Sequence, residues 1–498
     1  MLNCLALVVS HPIDYVVTPS PNLENVHIEM RFDAIPGQSK VRLQLPSWSP
    51  GLYVLENYWK TLDTVSAKSE SGESLSVEHD RDTWTIDSGH AKQIIVSYDR
   101  PTDQSSQRLG MFSGDADCIH YSGPTMYLYM ADRKEAPCNV RFDMPNGWQI
   151  ATSLHEQTQG FSAANYDELA DCPVTLGKFV EETYTVGNKK YTMAFRGPAR
   201  DQIDRKKTVA MAKFISEIET RFFGGAPFER YVWQISATSM MKDGGGGVEH
   251  ASSTQIFLST GLGPGAMGGM AHEFFHLWNV KRIRSQVLGP FDYTRLPAAG
   301  DLWWLEGVTD YYAFMLPYRA GYGSPQDLLN EIGGEISAVR SNAERFNVSP
   351  WDSGYRTPDA VNSMSSGYKV NYYPTGWTLG LLFDIEIRTK SKGRRSLDDV
   401  EKGLWSICKG GKAFPNGEIR RQLVKFGGKD LGALYDQWVM KSGELPAEEV
   451  LKLAGLKLSM DGKRWKVKAA ENASGEPKAI RENLLHQEAL WAKAEAGY

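Results

Sequence analysis

Ala271-His272-Glu273-Phe274-Phe275-His276-Leu277-Trp278-Asn279-Val280-Lys281 is the stretch from which the rest of the chain is read. As one helix it places His272 and His276 four residues apart on the same face, where two imidazoles can grip a single metal ion. Glu273 lies about 100° further round. From there its carboxylate can reach a metal-bound water without becoming a ligand, the placement a general base needs. The bland alternative is a pair of helix histidines that only pack.

A zinc hydrolase holds its metal with three protein ligands and leaves a fourth position for water, so one ligand is still to be found. Downstream, Trp304-Leu305-Glu306-Gly307-Val308-Thr309-Asp310-Tyr311-Tyr312 sets Glu306 in an apolar, aromatic helix. An unpaired carboxylate is costly to bury there, and Glu306 is the expected third ligand. Asp301 or Asp310 can replace it, and an ion pair of Glu306 with Arg282, Arg284 or Arg295 is the metal-free alternative. Asp310, one turn after Glu306, suits a hydrogen-bonding partner of a ligand.

Two further stretches carry chemistry. Gly244-Gly245-Gly246-Gly247-Val248-Glu249-His250 reads as a glycine loop that lets backbone approach a ligand, with an acid able to anchor a cation. If the substrate is a peptide, Glu249 can bind its α-ammonium and make the enzyme an aminopeptidase; the alternative is a mobile surface loop. In Asn371-Tyr372-Tyr373-Pro374-Thr375-Gly376, either tyrosine can offer a phenol to an oxyanion. Either can equally well be packing.

The remaining pattern supplies the framework. Val26, Ile28, Met30 and Phe32 alternate with polar residues, as do Val41, Leu43 and Leu45, and strands are expected again at 94–98, 140–142 and 183–186. This predicts an N-terminal all-β domain over 11–186. A strand at 191–195, a helix through Val209 and Phe222 stopped by Gly224, a strand at 231–235, the glycine loop, an edge strand at 255–258 and the metal helix predict an α/β catalytic domain over 187–325. The second glycine-rich segment, 261–269, sets the entry to the metal helix. A Trp- and Tyr-rich helix over 301–316 is stopped by Pro317. Helical periodicity at 328–338, 378–388, 417–426 and 431–440, with a helix opened by Ser396 and Asp399, predicts an α-helical domain over 326–455. Residues 456–498 read as a hairpin about Asp461-Gly462 followed by one terminal helix from Ala479. The fold class is multidomain α+β.

Composition narrows the function classes. The 498 residues carry a formal net charge of -5 and 41% hydrophobic residues, with no apolar run long enough for a membrane span. No nucleic-acid footprint is indicated. Five scattered cysteines without Cys-x-x-Cys spacing leave the redox compartment open. Residues 1–10 read either as a remnant of a signal peptide, which means a periplasmic or secreted protein, or as a buried strand of a cytoplasmic one. Oligomeric state is not written in the pattern.

The sequence His272 to Arg284, Leu288-Gly289-Pro290-Phe291-Asp292-Tyr293 and Trp304-Leu305-Glu306-Gly307 resembles the glycyl aminopeptidase family of zinc metallopeptidases. More distantly it is similar to the aminopeptidase N and leukotriene hydrolase group, of gluzincin type. Leu45 to Gly51, Tyr166-Asp167-Glu168-Leu169 and Ser396 to Val400 extend the likeness over roughly residues 13–455. The resemblance implies a thermolysin-like catalytic domain and one Zn2+ held by His272, His276 and Glu306. It also implies Glu273 as general base and then acid. Gly246-Gly247-Val248-Glu249-His250 stands in the place of the Gly-Ala-Met-Glu-Asn motif of the larger group, which implies Glu249 as amine anchor. Tyr373 matches the tyrosine of a Tyr-x-Lys-Gly element, although Thr375 stands where that element has lysine. Family members often continue into a PDZ domain, for which 456–498 is too short.

The expected function is a zinc aminopeptidase releasing N-terminal residues, Gly or Ala by resemblance, from peptides with a free N-terminus. The alternatives are a thermolysin-like endopeptidase and a zinc-stabilised peptide-binding protein without turnover.

Overall fold

The computed structural model describes residues 11–62, 64–102, 112–114, 117–354 and 370–496. The reading of residues 1–10 lies outside them. The N-terminal part is β-rich because its alternation is real. Along Asn25–Asp33, Val26, Ile28, Met30 and Phe32 are buried while the residues between face outward. This strand pairs antiparallel with Gln93–Pro101, setting Ile28 opposite Tyr98 and Met30 opposite Val96. Both belong to an eight-stranded sheet, joined in this region by two four-stranded sheets.

A five-stranded mixed sheet follows. Its strands Lys189–Arg196, Arg230–Thr238 and Ser253–Ser259 run parallel in register, with Gly245–Glu249 added antiparallel at the edge. The glycine run is thus an edge strand, with Gly245 opposite Leu258 and Gly247 opposite Ile256, and the strand expected at the edge is interior. Three glycines have no side chains to alternate, so strand periodicity leaves no trace there. The helix Arg205–Phe223 crosses between strands, opened by the Asp204 side chain and ended by Gly224 in the left-handed conformation.

The metal helix runs from Pro264 to Phe275, with His276 as its C-cap. It therefore starts seven residues earlier and ends six residues earlier than the periodicity suggests. The Asp243 carboxylate accepts from the amides of Gly263, Gly265 and Ala266, satisfying free N–H groups at its start. The aromatic segment opens as a π-helical turn, Trp303–Val308, and continues as the α-helix Thr309–Arg319. Pro317 lies inside this helix rather than stopping it, because in the last turn its missing N–H forfeits a single bond.

The C-terminal part is helical. Tyr372–Ser391 is its central, largely buried helix, and Leu397–Cys408 opens with the expected capping box of Ser396 and Asp399. The hairpin Leu456–Asp461 with Arg464–Ala469 forms as expected. The single terminal helix does not. Two short helices, Gly475–Leu484 and Trp491–Ala496, flank a linker whose Glu488 and Leu490 amides bond to Arg319 O and Ala320 O.

One apolar core spans the five-stranded sheet, the metal helix and the C-terminal helices, and a second fills the N-terminal β region. Buried polar pairs weld the two parts. His120 bonds Thr175 Oγ1 at 2.9 Å and Gln255 Oε1 at 2.9 Å, and Gln234 Nε2 donates to Pro173 O at 2.7 Å. Among the described residues no helix is long and apolar enough to cross a membrane.

Candidate active site

The last turn of the metal helix carries His272 and His276, and the π-helical turn carries Glu306 toward them. The two Nε2 atoms lie 2.9 Å apart, and Glu306 Oε2 is 3.6 Å from the first and 3.4 Å from the second. Each imidazole is oriented from behind. His272 Nδ1 bonds Asp310 Oδ1 at 2.6 Å, and His276 Nδ1 bonds the Asn279 carbonyl at 2.8 Å. A carbonyl and a carboxylate only accept, so both Nδ1 atoms donate and both Nε2 atoms are left to converge on one point with Glu306.

Three converging electron-pair donors form a set that could hold a cation between them. Burial lowers His272 and His276, yet the carboxylates beside them, Asp310 for the first and Glu306 for the second, more than offset it and raise both. Burial likewise pushes the Glu306 carboxyl up, but the imidazoles outweigh it and hold it at about 2. Glu306 is buried, and its Oε1 has no hydrogen-bond partner among the described residues. Among the described residues these three form a group that could hold a metal ion, their ligand atoms all within 4.8 Å of one another. Two imidazoles and a carboxylate fit zinc, and the set leaves coordination open for water. None of the three proposed arginines reaches Glu306; Arg295 pairs with Asp292 instead.

Local structure explains why the donors meet. Asn279 lies just beyond the metal helix, where its carbonyl holds His276, while its side chain donates to Trp304 O at 3.1 Å and Thr309 Oγ1 at 3.0 Å. It thereby ties the His-bearing segment to the Glu-bearing one. Nothing in the local pattern around Asn279 signals that role, because its partners lie 25 and 30 residues away.

Glu273 faces the same cleft. Its Oε1 accepts from the Gly247 amide at 2.9 Å, so the edge strand fixes its carboxylate. Burial pushes this carboxyl up to about 7, against the pull of His272 and His276 and with the help of Glu249 and Glu306. Glu249 ends the glycine strand, is 3% exposed, and has an Oε1 without a hydrogen-bond partner among the described residues. Tyr373 lies in the first turn of Tyr372–Ser391, where the Asn371 cap accepts from its amide at 3.0 Å, and its ring centre is 6.0 Å from that of His272. Its neighbour Tyr372 is buried in the core. Gly246, Gly247, Glu249, His272, Glu273, His276, Glu306 and Tyr373 thus all line a single cavity of about 350 Å³. Tyr372 does not. Gly51, from the N-terminal region, lines it too and was not expected.

Residues 14–178 match the peptidase M61 N-terminal domain and residues 266–379 match the M61 glycyl aminopeptidase domain, together more than half of the chain. The chain belongs to the M61 glycyl aminopeptidase family. This M61 protein is accordingly a peptidase. Its fold resembles that of an aminopeptidase N family protein from Idiomarina loihiensis, 22% identical, with a TM-score of 0.80 over 90% of this chain and 79% of that one. It also resembles an M1 zinc metallopeptidase from Deinococcus radiodurans, 14% identical, with a TM-score of 0.50 over 88% of this chain and 95% of that one. A mutant of the latter, bound to a Tyr-Ser-Ala substrate, gives 14% identity and a TM-score of 0.51 over the same shares. At these identities the likeness is one of fold. No curated protein is similar enough to the M61 chain to count as a match.

Proposed function

We propose that this peptidase is a zinc-dependent aminopeptidase that releases single residues, Gly and Ala foremost, from peptides with a free N-terminus. His272, His276 and Glu306 hold the ion, for the reasons of donor chemistry given above. When bound, zinc supplies Lewis acidity, acidifying water and polarising a carbonyl. The chain's own groups do the rest. Glu273, held by the Gly247 amide, takes the proton of the attacking water and returns it to the leaving amine. A carboxyl pushed up toward neutrality suits both directions of transfer. Tyr373 donates a hydrogen bond to the oxyanion.

The observation that carries the step from peptidase to aminopeptidase is Glu249. A buried carboxylate with an unpartnered oxygen is costly to maintain, and it borders the same cavity as Glu273. An α-ammonium is the group that removes that cost in the bound state. The Gly and Ala preference rests on the family alone.

The test combines metal analysis with a panel of peptides that differ only in N-acetylation. One zinc per chain, rapid cleavage of the free peptides and slow cleavage of the blocked ones support the reading. Equal cleavage of both, unaffected by Glu249→Ala, would make the enzyme an endopeptidase. Zinc without turnover of either would leave a binding protein.

A further inference from the structure

The residue that bounds Glu249 comes from the N-terminal β region. Gly51 has φ +92°, and a Cβ added to it would stand 2.3 Å from Glu249 Oε2, 2.9 Å from Glu249 Cδ and 2.7 Å from Val248 Cγ1. No side chain fits there. Gly51 and Glu249 together line the catalytic cavity and also a second cavity, of about 310 Å³, between the N-terminal region and the segment after the metal helix. Gly51 is therefore part of the wall against which the Glu249 carboxylate rests.

That wall is rigidly mounted. Trp48 and Tyr53 are buried in the core of the five-stranded sheet and metal helix rather than in the N-terminal core. Leu52 and Val54 close on Val248, the neighbour of Glu249. Trp48 Nε1 donates to Asp292 O at 2.9 Å, and the Ser47 amide donates to Tyr293 O at 2.8 Å. Tyr53 is held left-handed at φ 48°, a conformation an aromatic residue adopts only when its surroundings dictate it. The segment is thus fixed from both sides of Gly51.

We infer that Gly51 is a specificity-determining, positioning residue: its bare Cα fixes the Glu249 carboxylate where a free α-ammonium meets it, so the N-terminal β region helps to set the selectivity for unblocked peptides. This rests on the reading of Glu249 as amine anchor. A Cβ at residue 51 overlaps the Glu249 carboxylate and Val248 Cγ1, so the carboxylate has to shift, while no atom of Glu273 or Tyr373 is among those it meets most closely. Selectivity for the free N-terminus is the property that suffers.

The experiment measures kcat and KM of the full-length zinc enzyme on matched free and N-acetylated peptides for Gly51→Ala, Glu249→Ala and Gly72→Ala. Gly72 has φ +87° and nothing within 4 Å of an added Cβ, so Gly72→Ala carries the same backbone strain without a collision. The expected result is a KM for free peptides raised about 10- to 100-fold in Gly51→Ala, with kcat much less affected and the preference for free over acetylated peptide collapsing. Gly72→Ala keeps that preference. Leu52→Ala, which loosens the mounting without a collision, shows the same shift more weakly and serves if Gly51→Ala does not fold. If Glu249→Ala abolishes the preference while Gly51→Ala and Leu52→Ala both behave like Gly72→Ala, the inference is overturned and the anchor stands. If Glu249→Ala leaves the preference intact, the anchor itself is wrong and the inference falls with it.

Discussion

Replacing Asp310 by alanine removes the acceptor that orients His272, and its size can be worked from the structure. The bond is charge-assisted and short, 2.6 Å, between an imidazole 12% exposed and a carboxylate 38% exposed. Such a bond contributes about 1.5–3 kcal/mol when shielded. The partial exposure of Asp310 argues for the lower end, since water can take over as acceptor. About 1.4 kcal/mol is a factor of ten, at the lower edge of the 10- to 100-fold losses seen when a partner of a metal-bound histidine is removed. Zinc affinity, read by competition with a chelator, should therefore fall about tenfold, and kcat/KM on an Ala- or Gly-anilide should fall with it at limiting zinc. Asp310→Asn, whose carbonyl still accepts from Nδ1, should lose less. Stability of the apo-protein should fall by less than the lost bond alone would give. Burial first, and then the charges of Asp310 and Glu331, push Glu335 up to about 8, so removing Asp310 relieves a repulsion. Zinc affinity and kcat/KM both within twofold of wild type in Asp310→Ala would refute the assignment.

Two other perturbations probe the scaffold. An alanine at Gly307 would put Cβ 2.5 Å from both Gly376 Cα and Tyr372 O, forcing apart the segments that carry Glu306 and Tyr373; a loss of roughly 1–3 kcal/mol in denaturant unfolding and weaker zinc binding are expected. Burial pushes the Glu401 carboxyl up to about 8, opposed by the Trp304 hydrogen bond and reinforced by Asp398. Because this pKa is raised on folding, its stabilising contribution is complete below the ordinary carboxyl value and is lost as pH rises through about 8. Glu401→Gln, which keeps an acceptor for Trp304, should thus gain stability over wild type by at most about 1.4 kcal/mol per pH unit across that window, measured by melting at stepped pH.

The parts of this site that were legible in the sequence are those that rest on short-range geometry. His272, Glu273 and His276 are fixed by helical spacing, and Glu306 stands out as an acid in an apolar run. Asp310 follows from being one turn away. The alternating strands and the capping box at Ser396 are local too. What was not legible depends on distant partners. Residues 261–269 read as the entry to the metal helix rather than as part of it, yet Pro264–Phe275 is helical because Asp243 caps it and Gly269 packs directly on Gly245, where an added Cβ would be 2.5 Å from the carbonyl. The glycine strand has no side chains to show its period. Pro317 reads as a stop because proline costs a helix bond, but the last turn has little to lose. The terminal helix breaks where its linker bonds to Arg319 and Ala320, and Gly51 reaches Glu249 across nearly 200 positions of chain.

The most direct test of the account is Glu273→Gln, purified with zinc and assayed on Ala- and Gly-anilides. Glutamine preserves the shape of the side chain but cannot take a proton. The account predicts one zinc per chain, as in wild type, and a kcat lower by about 100- to 10,000-fold. A zinc-loaded Glu273→Gln enzyme that turns over at the wild-type rate would contradict it.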